Sequence, residues 1–113
     1  MKLNKEIIDE IEKRTNCSVR EYEDNYTIYV DNACDEDFTL EINKGEDEVE
    51  EIISQCDNFD SEEHFRLWFG ANNGEPSNPR TLLDNCDEIG ENLNTLALLL
   101  RDIQSRSKVT LPF

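Results

Sequence analysis

Residues 18–43, SVREYEDNYTIYVDNACDEDFTLEIN, decide the fold class. Two short runs, 18–23 (SVREYE) and 26–30 (YTIYV), flank Asp24 and Asn25, a pair of the kind that closes a two-residue hairpin. The third run, 37–43 (DFTLEIN), alternates cleanly. Phe38, Leu40 and Ile42 share one side, and Asp37, Thr39, Glu41 and Asn43 the other. This spacing predicts an antiparallel three-stranded meander with one face in a core and the other in water.

Outward from the strands, helical spacing takes over. Ile7, Ile8 and Ile11 form an apolar stripe on a helix from Lys5 to about Thr15, with Asn4 as N-cap and Leu3 stapled to Ile8. Asp9 with Lys13 and Glu10 with Arg14 stand at i,i+4, where opposite charges support a helix. A second helix is expected over about Glu46–Cys56, with Val49, Ile52, Ile53 and Cys56 facing in. A third starts near Asp60 or Ser61, where Asp60 and Glu63 have capping-box spacing. Its Phe65, Trp68 and Phe69 are expected to pack on the sheet or on the second helix.

Residues 70–78 (GANNGEPSN) read as a loop. Pro79 then suits the first position of a last helix capped by Asn78. Leu82, Cys86, Ile89, Leu93, Leu96, Leu100 and Ile103 repeat in a heptad seam on that helix. Unbroken from Pro79 to Ser105, it would be about 40 Å long, longer than a small domain is wide. Two outcomes follow. Either the helix breaks near Asp84–Asp87 and packs inside the chain, or Leu82, Ile89, Leu93, Leu96, Leu100 and Ile103 form a homodimer seam, with Gly90 a weak point. The fold class is therefore α+β: a three-stranded antiparallel sheet with helices on one face, in the order αβββαα plus a long C-terminal helix. Residues 1–70 form the acidic part, and 71–113 form a loop and a helix that packs on it or on a partner.

The chain of 113 residues has 11 Lys and Arg against 27 Asp and Glu, a net charge of −16. Such a surface repels nucleic-acid phosphate and anionic lipid, so direct binding to either is not expected. No apolar stretch of about 18 residues exists, and the charged N-terminus (MKLNKEIIDEIEKR) cannot act as a signal peptide. A cytoplasmic protein is expected. Cys17, Cys34, Cys56 and Cys86 form no CxxC pair and are expected to be free thiols.

Catalytic signatures are missing from the sequence. His64 is the single histidine, and its neighbourhood, SEEHF, has no second ligand of an HExxH helix. The Asp31 run (DNACDEDFTLEI) and the Asp57 run (DNFDSEEHFRLW) both lack the glycine and the final glutamate of a calcium loop. Neither nucleophile-elbow nor phosphate-loop glycines occur. A non-enzyme without metal or cofactor is expected.

The acid is local. Residues 1–70 hold 7 basic and 21 acidic residues, or −14; residues 71–113 hold 4 and 6, or −2. The acids gather in three places. These are the first hairpin (Glu21, Glu23, Asp24), the loop before the third strand (Asp31, Asp35, Glu36, Asp37) and the start of the second helix (Glu46, Asp47, Glu48, Glu50, Glu51). In that helix Glu46 with Glu50 and Asp47 with Glu51 would be like-charge i,i+4 pairs, each costing about 0.2–0.5 kcal/mol. Carboxylates repeated at such intervals can imitate a phosphate track and be drawn to a basic nucleic-acid channel.

An amphipathic helix (NKEIIDEIEKR), three short acidic strands and then EDEVEEIISQCDNFDSEEHF make a layout similar to small phage-encoded anti-CRISPR proteins. Those proteins block an RNA-guided nuclease by mimicking DNA. The resemblance covers residues 4–69 and lies in order and charge. It implies that Asp35, Glu36, Asp37, Glu46, Asp47, Glu50 and Glu51 occupy the nuclease's DNA-reading groove. Tyr22 and Tyr29 are candidate apolar anchors on the same surface. The expected partner is a basic nucleic-acid-binding protein. The competing expectation is a helix-mediated interaction or assembly protein of a phage or mobile element, with acids that only solvate it.

Overall fold

The computed structural model describes residues 1–32, 38–71 and 79–108. Helix α1 (Lys5–Arg14) leads into strands β1 (Cys17–Glu21), β2 (Asn25–Val30) and β3 (Thr39–Asn43). Helices α2 (Glu48–Asp57), α3 (Ser61–Ala71) and α4 (Pro79–Lys108) follow. The three strands form one antiparallel sheet in the order β1-β2-β3, so the α+β layout expected from the sequence is the one observed.

Local chemistry starts and stops the elements. The Asn4 side chain accepts from Ile7 N–H at 2.9 Å and caps α1. Asp60 Oδ1 accepts from the backbone of Glu62 and Glu63 at 3.0 and 3.2 Å and caps α3. The first hairpin turns one position earlier than expected. Tyr22 N–H donates to the Asn25 carbonyl at 2.8 Å, which puts Glu23 and Asp24 at its tip. Shifting the turn by one moves the pairing by two residues, and a shift of two keeps every side chain on its expected face. Val19, Ile28 and Leu40 thus share a row, as do Tyr26 and Ile42.

Side chains engage one backbone group on each edge of the sheet. At β1, Val19 N–H donates to Glu12 of α1 at 3.0 Å; at β3, Gln55 of α2 donates to the Glu41 carbonyl at 3.1 Å. Each bond occupies a group that another strand could otherwise pair with. Helices α1, α4 and α2 lie over β1, β2 and β3 respectively, on one face only.

The long helix corrects the sequence reading. Helix α4 is continuous through Asp84–Asp87, and its 30 residues span about 45 Å. It needs no partner to bury its seam. Leu82, Ile89, Leu96 and Leu100 are fully buried within the chain, and Leu93 and Ile103 nearly so. The residues proposed for a dimer therefore line this chain's own core, and Ile89 through Ile103 join Ile7, Ile11, Ile28, Ile42 and Ile52 in one cluster. The Phe59 ring packs against the helix at Gly90, where a Cβ would lie 3.4 Å from it, an ordinary contact. Helix α3 packs on α4 rather than on the sheet. Phe65 is half-buried, while the side chains of Trp68 and Phe69 fall outside the described residues.

Candidate functional site

Helix α2 starts two residues later than its sequence predicts, and this redistributes the acids. Glu46 and Asp47 lie in the turn before the helix; Asp47 takes the N-cap position without a side-chain cap bond. The cap comes from the other end of the chain. Val49 N–H donates to the Met1 carbonyl at 2.9 Å, and Leu3 N–H donates to Glu48 Oε1 at 2.7 Å. The second oxygen of Glu48 accepts from Gly45 N–H at 2.9 Å.

Glu48 is thus a structural carboxylate, 4% exposed, that ties the N-terminal segment to the turn before α2. Its sequence gave no such signal, because it sits in a run of acids where any one could have pointed inward. Glu50 is also engaged. Its carboxylate accepts from the Met1 ammonium and from Gln104 of α4, each at 2.5 Å. The ammonium bond holds its pKa below the ordinary value, and the Gln104 bond adds to the effect. Glu50 therefore faces α4, away from the other candidate acids.

What remains converges. Glu41 of β3, Glu46 and Asp47 of the turn, and Glu51 of α2 line a groove of about 410 Å³ with Asn43, Gly45 and the buried Glu48. Among the described residues no basic side chain lines it. Glu41 was outside the sequence-based set, yet strand alternation had already put it on the outer face. Neutral donors hold two of these carboxylates in place. Asn25 and Thr27 donate to Glu41 at 2.8 and 2.9 Å, and Gln55 donates to Glu51 at 3.0 Å. Neutral donors fix a carboxylate without cancelling its charge. Lys2 Nζ stands 3.6 Å from Glu46, an exposed pair that salt screens readily.

The outer sheet face continues from this groove. Arg20, Thr27 and Glu41 form one cross-strand row, and Ser18, Tyr29 and Thr39 the next. The Arg20 guanidinium lies over the Tyr29 ring, 5.9 Å from its centroid. Tyr29 is half-buried, whereas Tyr22 at the hairpin is 45% exposed. Counting strands from Tyr22 through Asn25 to Asn43 puts Tyr22 about 10 Å from the groove. Lys44 serves the hairpin, donating to Glu21 at 2.7 Å, and that bond raises its pKa.

Asp35, Glu36 and Asp37 lie outside the described residues, as does Cys34. Elsewhere several acids pair with bases: Glu10 with Arg14 and Arg106, Asp102 with Arg106, Asp57 with Arg101 and Asp84 with Arg80.

A larger cavity of about 540 Å³ lies between Phe59 and the middle of α4. Its one thiol, Cys56, is pushed up to about 12 by burial, so it is protonated at neutral pH and unsuited to attack or to metal ligation. Cys17, Cys56 and Cys86 are all free and buried. His64 packs edge-on to Phe38 and tilted to Phe59, with centroids 5.2 and 5.5 Å apart. Among the described residues no set of three His, Cys, Asp or Glu side chains is arranged to hold a metal ion, and no helix is long and apolar enough to cross a membrane. No protein-family model, curated protein or solved structure matches this chain. Fold and site together define a small α+β domain with an uncovered sheet face and a carboxylate groove at one end of it.

Proposed function

We propose that the protein is a non-enzymatic inhibitor that occupies a basic nucleic-acid-binding site on a host defence protein, of the RNA-guided nuclease kind. The observation that carries this reading is the groove of Glu41, Glu46, Asp47 and Glu51, which no basic side chain lines among the described residues. Such a cluster focuses negative potential outward and steers a basic partner into contact. Tyr22, exposed beside it, adds the apolar contact that slows dissociation, as tyrosine commonly does at interfaces. Burial of the leucine seam withdraws the main support for the competing reading of a helix-mediated assembly protein.

The test compares the wild-type chain with a Glu41→Gln, Glu46→Gln, Asp47→Asn, Glu51→Gln variant as bait in a bacterial lysate. Wild type is expected to retain a nucleic-acid-binding protein that duplex DNA displaces and that leaves as salt rises past the range where charges are screened. Equal retention by the fourfold variant, or retention indifferent to DNA, would refute the reading.

A further inference from the structure

Two buried polar side chains flank the apolar seam of α4. Asn85 and Asn92 are 2% and 8% exposed, and their seven-residue spacing puts them on one face. A buried carboxamide is tolerated where its bonds are made. Asn92 Nδ2 donates to the Asp31 carbonyl at 2.8 Å, and its Oδ1 accepts from Asn16 Nδ2 at 3.2 Å. Asn85 Nδ2 donates to Asn32 Oδ1 at 3.2 Å, and Asn32 in turn donates to the Val30 carbonyl at 3.2 Å.

All these partners meet where β2 ends and the connection to β3 begins. The base of that connection is closed by Val30 N–H donating to the Phe38 carbonyl at 3.0 Å. On its far side the Phe38 ring meets Phe59 edge-on, 5.4 Å between centroids. A second backbone bond, from Asp31 N–H to the Asn16 carbonyl, holds the take-off, and side chains of the C-terminal half add their grip at both ends.

We propose that Asn85 and Asn92 are positioning residues that hold the take-off of the β2–β3 connection, so that α4 fixes the chain at Asp31 and Asn32, where the acidic stretch starts. Both amides bond residues at the start of the connection. The inference leans on the proposed function only for the use of that stretch in partner binding.

Hydrogen exchange on the full chain, ¹⁵N-labelled, tests it with Asn92→Leu and with Asn85→Leu/Asn92→Leu. The amide of Asp31, which donates to the Asn16 carbonyl at 2.9 Å, is expected to exchange at least about tenfold faster. The amides of Ile28 and Ile42 at the sheet centre are expected to keep their wild-type rates. Unchanged exchange at Asp31, or equal acceleration at all three amides, overturns the proposal. Should the leucine variants not fold, Asn16→Ala removes the outermost partner. It must speed Asp31 relative to Ile28, and no difference there overturns the proposal equally. Failure of the wild-type chain to capture any basic protein would sink the inhibitor reading while leaving these exchange rates untouched.

Discussion

Replacing Glu48 gives the sharpest test of how the acids are divided between fold and function. Its two oxygens accept from Leu3 N–H at 2.7 Å and Gly45 N–H at 2.9 Å. In Glu48→Ala the Leu3 donor stays buried without a partner, at a cost of about 1–3 kcal/mol. Gly45 is exposed, so its donor turns to water and the net loss there is about 0.5–1.5 kcal/mol. The sum is roughly 1.5–4.5 kcal/mol out of a total stability on the order of 5–15 kcal/mol. Relief of the buried carboxylate's desolvation pulls toward the lower end. At about 4 °C per kcal/mol for a domain of this size, Tm falls by about 6–18 °C. Glu48→Gln keeps one acceptor for Leu3 and presents an amide donor to Gly45, so it loses only the smaller part. Urea unfolding is the assay, because guanidinium would also screen a chain of net charge −16. A loss under about 0.5 kcal/mol for Glu48→Ala, or a larger loss for the glutamine variant, would refute the assignment of Glu48 to the fold.

Gly90→Ala is expected to raise Tm modestly, since alanine gains up to about 1 kcal/mol in a helix interior and its Cβ meets Phe59 at 3.4 Å, an ordinary contact. Gly90→Leu drives further carbons into that ring and should cost about 1–3 kcal/mol in the same thermal melt. Glu50, with a folded pKa below its ordinary 4.5, contributes stability above that pH and loses it as pH falls through the lowered value. Glu50→Gln should therefore be less stable than wild type at pH 7 and converge with it as pH falls below that lowered value, as read from urea midpoints. Peptide mapping after iodoacetamide treatment of the native chain at pH 8 should find Cys17, Cys56 and Cys86 unmodified, because burial raises the first two thiols and encloses all three. Leu96→Ala should cost about 2–5 kcal/mol with an unfolding midpoint independent of protein concentration, as befits a seam buried within one chain.

Local periodicity made most of the fold legible. Alternation in 37–43 put Leu40 and Ile42 inside and Glu41 outside, and the observed burial follows it. Asn4 and Asp60 capped the helices their positions announced, because capping depends on a few adjacent residues. The start of α2 was misread for a related reason. Glu46 and Asp47 suit a first helical turn by composition, but the donor and acceptor pairs that fix the true start come from Met1 and Leu3, far away in sequence. Charge patterning likewise located the run of acids around α2 and could not rank its members. Glu48 and Glu50 were taken up by the N-terminal segment and Gln104, while Glu46, Asp47 and Glu51 stayed open beside Glu41.

By itself the sequence determined the class of fold, the strand faces, the apolar seam of the last helix and the concentration of acid in the first 70 residues. Each is a property of spacing or composition, and spacing survives any arrangement of the elements. The tertiary structure decided where the seam is buried, which carboxylates are structural and which form the groove, and what the buried Asn85 and Asn92 beside the seam bond to. Those outcomes depend on partners many residues away, and a hydrogen bond or a packed ring exists only once both ends are in place.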